Sequence, residues 1–160
     1  MKSKNALKQL MLCILAKYPH PDDMSNSRLT KTVFLCDWKS CLESGYVVSG
    51  VDWYFDHYGP YVDDVIDLAK NDTDFLVVNI QTEHGKNKSL VRLAGDGLSH
   101  YSLSSLDEAC VDFVIGLTED KKYDEFINLI YSLYPVITSP KFGRIDLVKK
   151  AMDYKALFLE

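Results

Sequence analysis

The sequence predicts a mainly α (α+β) fold, a single domain over residues 1–160 with about six helices and a small two-stranded β-hairpin. Apolar residues recur every three or four positions through most of the chain, which is the pattern of helices with one buried face. Residues 75–93 instead contain two β-branched runs around a polar loop, which is typical of a hairpin. The 160 residues, 47% of them hydrophobic, suffice for one core, and no linker divides them.

The first two helices follow from their apolar positions. Helix one is expected to bury a stripe made of Leu7, Leu10, Met11, Ile14, Leu15 and Tyr18. Residues 18–23 form a turn, because each proline disfavours helix in the residue before it. Helix two is expected over residues 28–42, with Ser25, Asn26 and Ser27 as possible N-caps. Residues 33–36 are apolar on nearly all sides, so helix two should be central.

Gly45 and Gly50 break the chain before an aromatic, extended segment at residues 53–58. Gly59 is then expected to cap helix three, and Pro60 suits its first position, where the missing N–H costs nothing. The inner face of helix three is predicted to consist of Val62, Val65, Ile66 and Ala69. Asp63, Asp64 and Asp67 are left facing outward or sideways.

Three further helices complete the predicted fold. Ser105 and Glu108 have the spacing of a capping box, which predicts that the fourth helix opens at Ser105. The fifth helix is expected over residues 121–134, ended by Pro135, and the last over about residues 143–158.

Composition favours a cytoplasmic protein with protein partners. Lys and Arg number 18 against 23 Asp and Glu, a net charge of -5, which disfavours broad nucleic-acid binding. The basic, apolar N-terminus is interrupted by Lys17 and lacks a cleavage site, so a signal peptide is not expected. No apolar run has the length of a membrane span. The four cysteines are too scattered for a disulfide framework, which fits a reducing compartment.

The residues that could carry catalysis do not form a recognisable site. Cys36 and Cys41 are five positions apart on one helix, a rotation of about 140°, so with His57 they do not make a zinc site or a thiol nucleophile. All four cysteines are interpreted as buried core residues. The aspartates of helix three are explained by the helix dipole, and no phosphate loop or nucleophile elbow is present. We therefore expect no catalytic residues, no metal and no cofactor.

A winged-helix DNA-binding regulator is the alternative that the order of elements allows. Its recognition helix would be helix three, which must face phosphates. Between residues 51 and 81, however, Lys70 is the one Lys or Arg, against Asp52, Asp56, Asp63, Asp64, Asp67, Asp72 and Asp74. Basic residues collect only in the hairpin, at Lys86, Lys88 and Arg92. The charge pattern makes nucleic acid the weaker hypothesis.

The same segment suits a protein-binding surface, because aromatic side chains give a large contact area at low entropic cost. Alternation in an extended strand predicts that Trp53, Phe55 and Tyr58 are buried. The residues expected to contact a partner are Tyr54, His57 and Tyr61, with Asp63, Asp64 and Asp67 as an acidic rim. Asp37 is interpreted as a buried acceptor that fixes the turn after Tyr58, since an unpaired buried carboxylate would be costly.

The stretch from Leu29 to Lys70 resembles the signature of the Panacea, or SocA-like, family of antitoxin domains. The resemblance rests on an apolar helix carrying an aspartate, two glycines, an aromatic approach and a Tyr-Gly-Pro turn. Its motif positions are Leu29, Asp37, Trp53, Tyr58, Gly59 and Pro60. It implies a non-enzymatic domain that neutralises a cognate toxin by direct contact. Relatives also serve as other prophage and defence components, and an adaptor that hands a client to other machinery stays open as an alternative function.

Overall fold

A computed structural model describes residues 2–95 and 100–158, with side chains from residue 5 onward. This part contains seven α-helices and two antiparallel two-stranded sheets, which confirms the mainly α prediction. A single 3₁₀ turn lies at Pro21–Asp23. The elements are α1 Lys2–Lys17, α2 Asn26–Ser44, β1 Phe55–Asp56, β2 Gly59–Pro60, α3 Asp64–Asn71, β3 Phe75–Gln81, β4 Asn87–Leu93, α4 Ser105–Thr118, α5 Tyr123–Ser132, α6 Tyr134–Ile137 and α7 Leu147–Phe158.

Helix α2 is the centre of the fold, as its apolar pattern predicted. It packs against α1, α3, α4, α5, α7 and β4. Its N-terminus is capped by Ser25, whose Oγ accepts a hydrogen bond from the Arg28 N–H at 3.2 Å. Its C-terminus ends at Gly45, which has a φ of 79°, a left-handed conformation that glycine adopts without a Cβ clash. A rigid, many-sided central helix gives the rest of the chain a fixed frame.

The hairpin is confirmed. Strands β3 and β4 pair from Phe75 with Leu93 to Gln81 with Asn87, with the polar loop between them. The four cysteines are buried and free, which fits their interpretation as core residues. Within the described ranges, no helix is both long and apolar enough to cross a membrane.

The predicted start of helix three is wrong. Gly59 and Pro60 form β2, which pairs with β1, and the Tyr61 N–H continues the pairing by donating to the Tyr54 carbonyl at 3.0 Å. The chain therefore stays extended past the Tyr-Gly-Pro turn. Helix α3 begins only at Asp64. Its buried residues are Val65, Ile66 and Ala69, as predicted, while Val62 precedes the helix and is half-buried.

Helix α4 begins at Ser105, as predicted, but the predicted capping box does not form: the Ser104 Oγ accepts a hydrogen bond from the Asp107 N–H at 3.1 Å, and Glu108 contacts Tyr101 and Lys17 instead. Two other predicted boundaries are wrong. Helix α5 ends at Ser132, and Pro135 lies in the first turn of the short α6, where a missing N–H is tolerated. The last helix begins at Leu147, because residues 143–145 pair with the aromatic segment instead.

Candidate functional site

The aromatic segment is held along both of its edges. On one side it pairs with β2, as described. On the other, the Phe55 N–H donates to the Gly143 carbonyl at 2.8 Å, and the Ile145 N–H donates to the Trp53 carbonyl at 2.9 Å. Because both edges are bonded, the turn that follows Phe55 projects from a rigid base.

Asp37 anchors this base from below. The carboxylate is fully buried on α2 and accepts hydrogen bonds from the Ser49 N–H at 2.9 Å, the Ser49 hydroxyl at 2.5 Å and the Trp53 indole N–H at 2.8 Å. Burial raises its pKa to about 6, although these donors oppose the shift. Asp37 is a buried hydrogen-bond acceptor, as predicted. The predicted position of its partners is wrong, because Asp37 fixes the connector before the aromatic segment and not the turn after Tyr58.

The turn carries a group of exposed rings that we call the turn face, made of His57, Tyr58, Tyr131 and Phe142. The His57 ring lies 4.9 Å from the Phe142 ring and 6.3 Å from that of Tyr58. Tyr131, on α5, packs closely against Gly59. A Cβ added to Gly59 would lie 3.7 Å from the Tyr131 ring. Tyr58 is 80% exposed, so the prediction that it is buried is wrong. The strand alternation that buries Trp53 and Phe55 ends at the turn.

Phe142 holds its ring on this face at a cost in backbone energy. It is the one non-glycine residue with positive φ, 64°, in the described ranges, and it is 53% exposed. A bulky residue in this region costs about 1–2 kcal/mol. The hydrogen bond from its N–H to the Phe55 carbonyl, at 2.7 Å, keeps the conformation in place. Burial of the side chain does not offset this strain, because Phe142 is about half exposed to solvent.

Two of the predicted contact residues lie beside the turn face. Tyr54 is exposed, as expected, and its backbone forms an antiparallel β-bridge with that of Arg144. Tyr61 is half-buried, so its predicted exposure is wrong, and its hydroxyl accepts a hydrogen bond from the Asn26 amide at 2.9 Å. Burial raises the pKa of Tyr61, with a further increase from Asp63.

The acidic rim lies at the start of α3, directly after the turn. Asp63, Asp64 and Asp67 are exposed, as predicted. Asp63 is the residue before the helix and makes no capping hydrogen bond through its side chain.

Lys31 of α2 lies underneath the turn face, and no sequence pattern predicted it as a residue of this site. Its side chain is 1% exposed, and its Cε would be 3.7 Å from a Cβ on Gly59. Burial lowers its pKa to about 8, partly opposed by Asp56. Among the described residues, no group of three or more His, Cys, Asp or Glu side chains is arranged to hold a metal ion.

No sequence pattern links Tyr131 or Phe142 to this surface, because both are far along the chain from the Tyr-Gly-Pro turn. Only the pairing of residues 142–145 with the aromatic segment, and the packing of α5 on Gly59, bring them there. The exposure of Tyr58 could have been suspected from the turn residues that follow it, since strand alternation does not continue through a tight turn.

The described part of the chain is mainly α and presents exposed aromatic rings next to an acidic rim. The model of the family described as antitoxin SocA-like, Panacea domain, matches residues 29–134. The chain belongs to this family. No curated protein and no solved structure matches it.

Proposed function

We propose that this protein is an antitoxin that neutralises a cognate toxin by direct contact, without catalysis, through the turn face and the acidic rim. Membership of the Panacea family supports the antitoxin role and suggests a protein partner. The observation that carries the choice of surface is the strained, exposed Phe142, whose ring packs on that of His57. Backbone strain that burial does not repay clusters at functional sites.

The proposed mechanism has two parts. The rings of the turn face enter an apolar part of the toxin surface, where their desolvation supplies most of the affinity. Asp63, Asp64 and Asp67 pair with basic residues around it, which speeds association and fixes the orientation. No proton or bond has to move for a toxin to be covered or held inactive.

The test is a pull-down of the full chain with the product of the adjacent gene, followed by growth assays of that product alone and with this chain. We expect a stoichiometric complex, a partner that is toxic by itself, and loss of toxicity when both are present. Titration in a cell-free assay should end at equal molar amounts. Neutralisation at far lower amounts would indicate an enzyme, and a bound partner that stays active would indicate an adaptor.

Charge reversal of the acidic rim tests the electrostatic part. We expect Asp63→Lys with Asp67→Lys to weaken toxin binding about tenfold at low salt and less at high salt, because exposed charges are screened. The matched control is Glu83→Lys with Asp124→Lys, which changes the net charge equally and places one change in the first turn of α5. Affinity unchanged at low salt in the rim variant, or lowered equally in the control, would contradict a specific rim contact.

A further inference from the structure

A cleft that shares no residue with the turn face opens at the N-terminus of α2. It lies between that helix end, the loop of the β3–β4 hairpin and the connection from α4 to α5, and its volume is about 920 Å³. This is in the size range of small-molecule sites. The hairpin lysines that the sequence analysis left without a role, Lys86 and Lys88, line this cleft together with Lys121, Lys122 and Tyr123.

Arg28 forms part of the cleft wall and is only 2% exposed. Its Nη2 donates to the carbonyls of Thr118 and Lys121, both at 2.9 Å, while its buried Nε has no hydrogen-bond partner in the described part of the chain. No carboxylate of the described residues lies within 4 Å of this guanidinium. The rings of Phe126 and Tyr18, with centroids 4.5 and 5.7 Å from the Arg28 Cζ, offset part of the cost of burying this cation. No anion of the described residues pairs with it, so this wall attracts a negatively charged ligand.

The α2 N-terminus adds to the positive potential. Asn26 and Ser27, the first residues of a 19-residue helix, both line the cleft. The Asn26 N–H faces β4 through the bridge between Ser25 and Leu90, while the Ser27 N–H has no acceptor within the helix. Helix N-termini of this kind bind phosphate.

A second buried cation, Lys31, lies one turn further along the same helix. Its Nζ is 3.4 Å from the Ser27 hydroxyl, which in turn is 2.7 Å from the Tyr123 hydroxyl at the cleft wall. Lys31 likewise has no carboxylate within 4 Å among the residues that the structure describes. The Tyr61 ring, 5.7 Å from the Lys31 Nζ, and Asp56 offset part of this charge. The first turns of α2 therefore hold two buried cations that have no ion-pair partner among the described residues.

The walls also contain acids. Asp23, Glu119 and Asp120 line the cleft and would repel a large polyanion. The cations concentrate at the hairpin, at Arg28 and at Lys121 and Lys122, so the attraction is local. A small anion fits this arrangement better than a nucleic-acid duplex, which needs a continuous basic stripe.

We propose that the cleft binds a nucleoside phosphate. The phosphate accepts a hydrogen bond from the N–H group of Ser27 and pairs with Lys86 and Lys88. The nucleoside fills the remaining volume against Tyr123, whose ring is exposed. This binding function does not depend on the antitoxin role.

The test titrates the full wild-type chain with AMP, inorganic phosphate, adenosine and a duplex DNA, by calorimetry and by the thermal unfolding midpoint. We expect AMP to bind more tightly than inorganic phosphate, adenosine not to bind, and AMP to raise the midpoint. In ¹⁵N spectra the Arg28 Nε–H signal should shift on addition of AMP. No binding of AMP at millimolar concentration would overturn the proposal. AMP no tighter than inorganic phosphate would overturn the nucleoside assignment, and duplex DNA bound more tightly than AMP would overturn the small-molecule assignment.

A pair of variants locates the site. Lys86→Ser with Lys88→Ser should weaken AMP binding about tenfold, because two charge-assisted contacts to phosphate are lost. Lys70→Ser with Lys149→Ser removes the same charge elsewhere and should leave AMP affinity within about twofold. Equal losses in the two variants would show that only net charge matters and would overturn the assignment to this cleft. Toxin neutralisation measured on the same variants separates this site from the turn face.

Discussion

Asp37→Ala is expected to lower the free energy of unfolding by about 3 kcal/mol or more at pH 7, the largest stability change among the substitutions considered. The substitution removes the acceptor of the Ser49 N–H, the Ser49 hydroxyl and the Trp53 indole, at a position that solvent does not reach. Each buried donor left without a partner costs about 1–3 kcal/mol, partly offset because the carboxylate no longer has to be buried. Urea denaturation followed by tryptophan fluorescence measures the change.

Asp37→Asn provides the control through its pH dependence. Burial raises the pKa of Asp37 to about 6 in the folded protein, above the value of about 3.9 in an unfolded chain. The folded state therefore holds the proton more tightly, so the wild type loses stability as the pH rises through the interval between these values. The asparagine variant has no carboxyl group to titrate at this position, so its free energy of unfolding does not fall in this way. The amount by which it is less stable than the wild type should therefore shrink between pH 4 and pH 7, by about 1.4 kcal/mol for each unit by which folding raises the Asp37 pKa.

Two outcomes would contradict this account of Asp37. A loss below about 1 kcal/mol in the alanine variant would mean that the Ser49 and Trp53 donors find other acceptors. A deficit of the asparagine variant that grows from pH 4 to pH 7 would mean that the folded state favours the ionised carboxylate. The hydrogen bonds from Ser49 and Trp53 would then outweigh the effect of burial on the Asp37 pKa.

The sequence could predict the helical core because that part of the fold depends on local periodicity. Helix α2 is buried on many sides, and its apolar positions around residues 33–36 already required this. The start of α3 could not be read in the same way. Pro60 fits a helix start and an extended turn equally well by its φ, and the choice is made by hydrogen bonds to Tyr54 and by the pairing with β1.

The candidate site was predictable only where it is contiguous in sequence. The acidic rim and His57 were found because they lie within the Tyr-Gly-Pro region. Tyr131 and Phe142 were missed because their place depends on tertiary pairing, and nothing in the composition around Phe142 marks its left-handed backbone. Tyr58 was misplaced by extending the strand alternation one turn too far.

The turn face should supply most of the toxin affinity, and Tyr58→Ala and Phe142→Gly are expected to show this separately from stability. Each variant should weaken binding of the adjacent-gene toxin by about 30-fold or more, the effect of losing an interface hot spot of about 2 kcal/mol. Tyr58→Ala removes a side chain that is 80% exposed, so the free energy of unfolding should change by less than about 0.5 kcal/mol. Calorimetry with the purified partner and urea denaturation give the two quantities.

Phe142→Gly makes the sharper case, because glycine adopts a φ of 64° without the strain that phenylalanine has there. The free energy of unfolding should stay level or rise by up to about 1 kcal/mol, while toxin binding weakens by about 30-fold or more. Phe113→Ala on α4 is the control, since that ring is equally exposed, at 51%, and lies on another helix. Retained affinity in the glycine variant would mean that the strained ring has no role in the contact. A variant that folds more stably and binds more weakly would indicate that the chain keeps this conformation for its partner and not for its fold.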